Sequence, residues 1–246
     1  VERATNTQRE LQEERVMGDV VERPILFSGP MVRAILEGRK TQTRRVVNLP
    51  KDTEWAYEVE VERRGDFEIA MAANYSGKQQ VLRFCPYGKP GERLWVRETW
   101  AHCFLRRDYT DEYVSVAGYV GSPKPDHVAY KADVDLGDFS GKWRPSIHMP
   151  RWASRIALEV TGVRVEQLQE IGEGDAIQEG VEHLSAGLVL NPWRNYLQGK
   201  PGEMVQHCSC ARRSFQTLWD SINGKRGIGW KENPWVWVVE FRRVEG

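Results

Sequence analysis

Hydrophobic positions fall along this chain in short runs whose spacing switches between helical and alternating. Ser28-Gly29-Pro30, followed by Met31, Ala34, Ile35 and Gly38, supplies a cap residue, a first-turn proline, apolar positions at helical spacing and a terminating glycine. This predicts a short helix ending at Gly38, with residues 40–45 leaving it as a loop or strand. Val59-Glu60-Val61-Glu62 and Phe67-Glu68-Ile69 alternate about Arg64-Gly65-Asp66 and predict a hairpin. Turn-forming residues from Cys85 to Glu92 lead into a strand with Leu94 and Val96 on one face and Trp95 and Arg97 on the other. Residues 156–161 and 163–165 read as strands, and residues 165–180 carry a helical pattern with acidic residues. Phe215, Leu218, Trp219 and Ile222 predict a helix stopped by Asn223-Gly224, and residues 235–241 a closing strand.

Strands separated by long connections, with few helices, predict an α+β fold built on a β-barrel or strongly bent sheet with helices at its margins. A single domain over residues 21–246 fits this pattern, with insertions near 52–83, 103–144 and 184–213. Residues 1–20 are polar and predict a disordered extension, within which Met17 is a plausible natural start.

Composition narrows the function. Lys and Arg together number 35, as do Asp and Glu, so no global basic field argues for nonspecific nucleic-acid binding. No run long enough to span a membrane and no secretory signal is evident, which predicts a cytoplasmic protein with no membrane partner. Cys85, Cys103, Cys208 and Cys210 are too few and scattered for a disulfide framework. His207-Cys208-Ser209-Cys210 lacks the two-residue gap usual between paired zinc ligands, so no metal is expected. Most of the 10 Trp belong in a core, yet Trp143, Trp152 and Trp193, each beside an arginine, are also candidates to stack on a base.

The densest chemistry lies in Gly38-Arg39-Lys40-Thr41-Gln42-Thr43-Arg44-Arg45, where one lysine stands among two threonines and three arginines. Neighbouring cations lower a lysine's pKa, and a lysine near a hydroxyl is a candidate base for amide or ester chemistry. The plain alternative is a solvated basic turn. In a regular strand Lys40 and Thr43 point to opposite faces, so a partnership requires a turn or bulge between them.

These pieces together resemble the ASCH-domain family, a β-barrel fold related to the PUA domains that bind RNA. The family signature Gly-x-Lys-x-x-Glu-x-Arg is matched by Gly38, Lys40 and Arg45, with Thr43 at the glutamate position. The Gly91-Glu92 turn into Leu94-Trp95-Val96, the strand Leu158-Glu159-Val160-Thr161 and the closing Val238-Val239-Glu240-Phe241 follow in the family's order. Pro24-Ile25-Leu26-Phe27-Ser28-Gly29-Pro30-Met31, Pro145-Ser146-Ile147-His148-Met149-Pro150-Arg151-Trp152 and Ser221-Ile222-Asn223-Gly224-Lys225 resemble a larger subgroup common in phages and prophages.

A small bacterial hydrolase of this family, an N(4)-acetylcytidine amidohydrolase, is similar in having threonine at the Thr43 position. Its catalytic threonine, lysine and glutamate match Thr43, Lys40 and, through an Ala-x-Gln-Glu context, Glu179. The resemblance implies hydrolysis of N(4)-acylcytidines without a cofactor: Thr43 the nucleophile, Lys40 the base, Glu179 in support. Arg39, Arg44, Arg45, His148 and Trp152 are candidate substrate-binding residues. The implied partner is a small nucleoside, with an RNA contact possible and no obligate protein partner. His148 and His183 are alternative bases by chemistry. Two other readings stay open, a non-catalytic module for RNA or a modified nucleotide and an ASCH-type ribonuclease. A helix-exit loop contributes little to a core, so Thr43→Ala, Lys40→Ala and Glu179→Gln are each expected to remove most of the activity while leaving the fold intact.

Overall fold

A computed structural model of the chain describes residues 20–47, 58–64, 67–73, 79–83, 85–102, 104–105, 113–114, 128–133, 142–184, 192–197 and 207–244. The expected N-terminal extension, the Gly65-Asp66 hairpin tip and much of the two later insertions lie outside them.

The frame is a five-stranded sheet of β1 (Glu22–Leu26), β6 (Arg93–Arg97), β11 (Ala157–Gln167), β12 (Trp235–Val244) and β2 (Gln42–Val46), hydrogen-bonded in that order. β1 runs parallel to β6; every other pairing is antiparallel. β11 and β12 form the spine, paired from Ala157↔Val244 to Gln167↔Trp235 with one irregularity at Val160/Gly162. Four consecutive β12 residues, Val236 to Val239, are buried, so both faces of that strand are covered and its sequence reads as an apolar run rather than an alternation. Leu94, Val96, Leu158 and Val160 continue the core on the neighbouring strands.

Helix α1 (Gly29–Leu36) follows β1 and buries Met31, Val32, Ala34 and Ile35, with the proline in its first turn. The amphipathic helix α3 (Ala211–Asn223) adds Phe215, Leu218 and Trp219 to the same core. The expected hairpin is present as β3 (Glu58–Arg64) and β4 (Phe67–Ala73), joined by β5 (Gln79–Arg83) in a separate three-stranded sheet. Two further pairs are β7 (Trp100–His102) with β10 (Val128–Tyr130), and β8 (Phe104–Leu105) with β9 (Tyr113–Val114). Trp100, Met149 and Ala153 form a small second core beside the first pair.

Two expectations are corrected. The architecture is α+β, but among the described residues no sheet closes into a barrel: the end strands β1 and β2 do not pair with each other. Beyond β2, a backbone bridge from Lys40 goes to Glu179 instead, and the seam toward β1 is crossed by a side chain, Arg45 donating to the Leu26 carbonyl at 2.6 Å. The helical pattern over 165–180 is also not one helix. β11 runs on to Gln167, a 3-10 turn covers Leu168–Glu170, and only Glu173–Gln178 is α-helical, as α2. Buried residues at Val165, Leu168, Ile171 and Ala176 satisfy a strand, a tight turn and a short helix in succession, and Gly172 and Gly174 weaken a continuous helix.

The register of β2 decides what its outer edge offers. Phe241 donates to the Thr41 carbonyl and Val47 to the Trp235 carbonyl. By antiparallel alternation the backbone groups of Thr43 and Arg45 therefore point to β12, and those of Gln42, Arg44 and Val46 point away from it.

Leu158, fully buried on the β11 spine, provides a check on this core. Leu158→Ala should lower the unfolding free energy by about 2–5 kcal/mol in urea denaturation, the cost of a lost side chain plus a residual cavity.

Candidate active site

The octet is neither a solvated turn nor a regular strand. Gly38 takes a left-handed φ of +73° after α1, and the amides of Arg39 and Lys40 both donate to the Ala34 carbonyl. Lys40 then bridges Glu179, Thr41 donates to the Gln178 carbonyl, and β2 begins at Gln42. Lys40 thus lies outside the strand's alternation. Lys40 and Thr43 both line a cavity of about 370 Å³ that also takes in Glu179, Arg44 and Arg45. Phe27 and Met31 contribute to its wall, as do Phe215, Leu218 and Trp219 of α3.

Glu179 follows α2 as its C-terminal cap residue. Lys40 Nζ donates to the Glu179 main-chain carbonyl at 2.7 Å and to its Oε2 at 2.9 Å, while Arg44 donates to Oε1 at 3.1 Å. Lys40 and Glu179 are only 4% and 3% exposed. Burial pushes the Lys40 pKa below the usual lysine value; the Glu179 charge and hydrogen bond oppose this, and the Arg45 and Arg44 charges add to it. Desolvation therefore outweighs the carboxylate, and cationic neighbours are a secondary cause. Arg39 has no part in it: it binds Glu37 at 2.7 Å and the Gly180 carbonyl at 3.2 Å, and it is not among the residues lining the cavity.

Arg44 is bound to carboxylates through four of its five N–H groups. Its guanidinium donates to Glu166 at 3.0 and 2.5 Å, to Asp175 at 2.8 Å and to Glu179, and it lies 5.8 Å from the Phe215 ring centre. Arg164 braces the same acids, reaching Glu166 at 3.1 Å and Asp175 at 2.6 Å, and also pairs with Glu240. Arg45 differs: among the described residues it has no carboxylate partner, its Nε is buried without an acceptor, and its guanidinium sits over Phe27 and Tyr87 at 5.2 and 5.8 Å. Thr43 is 4% exposed, and its hydroxyl has no hydrogen-bond partner among the described residues.

His148 and Trp152 stand apart from this constellation. His148 is exposed in the 3-10 turn Ser146–His148, and Trp152 packs edge-on to Trp100 at 5.8 Å and near His102 at 5.5 Å. Neither lines the cavity. His183 packs edge-on to Trp193. Among the described residues no group of three or more His, Cys, Asp or Glu is arranged to hold a metal ion, and no helix is long and apolar enough to cross a membrane. Glu166 and Asp175, which hold Arg44, escaped the sequence reading. Asp175 stands one helical turn before Glu179, a spacing that places both on one side of a helix. The expectation that the octet contributes little to the fold is corrected, since its lysine and Arg44 are buried within an ionic network.

Gly180 makes the close approach possible. Its φ is +83°, and a Cβ there would lie 2.9 Å from the Lys40 Cβ and 3.0 Å from the Ala34 Cβ. Gly38 has a similar φ with open space around it. Gly38→Ala should cost about 1–2 kcal/mol for the left-handed backbone alone, and Gly180→Ala measurably more; urea denaturation of the two variants gives the difference.

No protein-family model matches the chain, and neither the curated proteins nor the solved structures contain a significant match to it.

Proposed function

We propose that this cavity is the active site of an amidohydrolase that cleaves the N(4)-acyl amide of acylated cytidines, releasing cytidine and a carboxylic acid. The observation that carries the reading is a buried lysine of depressed pKa, clamped by a carboxylate, in the same cavity as a buried threonine whose hydroxyl has no hydrogen-bond partner among the described residues. The match of Lys40, Thr43 and Glu179 to the catalytic residues of the N(4)-acetylcytidine amidohydrolase supports it independently of the geometry.

Lys40 as the neutral amine has two N–H groups, and Glu179 presents two acceptors to them. The remaining tetrahedral position on nitrogen is the lone pair, which takes the Thr43 proton as the hydroxyl oxygen attacks the acyl carbon. The same proton then goes to the departing cytosine nitrogen, leaving an acyl ester on Thr43. Water hydrolyses that ester by the same path in reverse order. Glu179 holds Lys40 in place and offsets the charge it gains; its cost to basicity is outweighed by burial. The cytosine amine is conjugated with its ring, so it leaves more readily than an alkyl amine. The apolar α3 wall gives room for acyl groups of different size, which need only apolar surface.

Incubation with acetyl, butanoyl and benzoyl N(4)-acylcytidine, followed by the ultraviolet change on release of cytidine, tests the reading. Turnover of all three with little action on a simple anilide is expected. Binding without turnover supports a recognition module, and cleavage of added RNA a ribonuclease. Thr43→Ala and Lys40→Ala should each lower kcat by about 10²–10⁴-fold, non-additively when combined; a folded Thr43→Ala enzyme with near-normal kcat removes the nucleophile assignment.

The pH profile follows from Lys40. The base form is populated above a pKa that lies below lysine's ordinary value of about 10.4, so kcat/KM should rise with pH through that lowered pKa and then level. Glu179→Gln removes the carboxylate that raises it and should move the rise to lower pH. Between the lowered and the ordinary value the unfolded chain binds the extra proton, so the stability linked to Lys40 also increases with pH in that window.

A further inference from the structure

The segment Ser221 to Lys225 takes no part in the chemistry proposed above, yet its Ile222 and Asn223 line the same cavity. Outside the octet and Glu179, the polar side chains of the wall differ in their settings. Ser28 and Arg226 are exposed and Tyr87 is half-buried, while the Trp219 indole N–H is taken by the Ile228 carbonyl at 2.9 Å. Asn223 is only 7% exposed. Its carboxamide has no hydrogen-bond partner among the described residues, and neither of its polar atoms is sealed from solvent as the Arg45 Nε is. A buried amide is normally satisfied by the protein around it. This one is left to whatever fills the cavity.

Its placement follows from α3. Phe215, Leu218, Trp219, Ile222 and Asn223 recur at helical spacing, and all of them line the cavity. Asn223 ends that stripe, about 12 Å along the helix axis from Phe215, whose ring lies 5.8 Å from the Arg44 guanidinium. Beyond it the chain turns back, the Gly227 amide donating to the Gly224 carbonyl at 3.1 Å and the Ile228 amide to the Asn223 carbonyl at 3.4 Å. The main chain is thereby fixed while the side chain stays uncommitted. A carboxamide set in a wall of Leu218, Trp219, Ile222 and Ile228 suits a flat heteroaromatic ring, whose faces need apolar surface and whose edge needs hydrogen bonds.

We propose that Asn223 is the specificity-determining residue that reads the cytosine edge, its Oδ1 accepting from the exocyclic N–H and its Nδ2 donating to the ring N3. This rests on the amidohydrolase reading and names the group that selects the base at the same site. With the acyl group turned to the C5 side, the exocyclic N–H and the ring N3 stand next to each other as donor and acceptor. Adenine presents the same pattern at N6 and N7, which asparagine reads with both atoms of its carboxamide. A simple anilide has the N–H but no ring nitrogen beside it, so it leaves the Asn223 donor buried and unpaired. A site built on such bonds rejects analogues that lack them far more strongly than an apolar pocket rejects a change of chain length. The base is thus selected by hydrogen bonds and the acyl group by apolar surface alone.

The test uses the full chain and measures binding separately from turnover. Cytidine, the product, presents the same edge, and 3-deazacytidine carries a C–H in place of the ring N3. In NMR titrations the wild type should bind cytidine about tenfold or more tightly than 3-deazacytidine, and Asn223→Leu should bind the two equally. The same variant should lower kcat/KM on N(4)-acetylcytidine by about 10–100-fold. Asn223→Asp, which keeps the shape but has no N–H, serves where the leucine variant does not fold; it too should lose the preference for cytidine. A folded variant that keeps the preference, or that retains the kcat/KM of an active wild type, overturns the assignment. So does a wild type that binds the two nucleosides equally or binds neither. If the wild type turns over no acylcytidine, the amidohydrolase reading falls; a cytidine preference that disappears in Asn223→Leu still upholds Asn223 as the residue that reads the base.

Discussion

The Glu179 carboxylate is the joint on which the site depends. One oxygen holds Lys40 at the entry to β2, the other holds Arg44 two residues into that strand, and the residue itself caps α2. Without it, two cations are left in a space from which water is largely excluded. Breaking a buried pair by removing one partner commonly costs about 3–5 kcal/mol, more than the intact pair contributes relative to an apolar replacement. The arrangement is thus better understood as fixing position than as adding stability. Arg44, tied in turn to Glu166 and Asp175, carries the constraint from the helix end to the β11 spine.

The division of labour between the two basic residues follows from what surrounds each. Both are buried, yet Arg44 meets three carboxylates and Lys40 meets one. A guanidinium stays charged in almost any setting, whereas an ammonium gives up its proton when desolvated with too little compensation. A strongly neutralised arginine beside a weakly neutralised lysine therefore keeps a structural cation and a titratable amine a few residues apart on one chain.

Local periodicity made the elements legible. The Ser28–Gly38 helix, the Leu94/Val96 strand, the α3 stripe and the closing strand all announce themselves in residues three or two apart. What periodicity could not convey was which edges meet. The parallel β1–β6 pair and the failure of β1 to reach β2 depend on contacts far apart in sequence. The same limit governed the site. The motif pointed to Lys40, Thr43 and Glu179, which line one cavity, but the holding of Arg44 by Glu166, Asp175 and Glu179 arises from residues more than a hundred positions away. Burial of Lys40, rather than the adjacent arginines, was likewise invisible in the octet itself.

The outer edge of β2 has a consequence beyond chemistry. A strand at the end of an open sheet, with the main-chain groups of alternate residues turned outward, is a template onto which another chain can add a strand. Here that edge belongs to Gln42, Arg44 and Val46, flanked by the Lys40–Glu179 bridge at one end and by the Arg45 side chain reaching across to Leu26 near the other. A flat incoming strand would have to lie against two arginines. The charges that shape the cavity therefore also border the edge at which a further strand would pair, so one small group of side chains sets both the character of the pocket and that of the sheet's end.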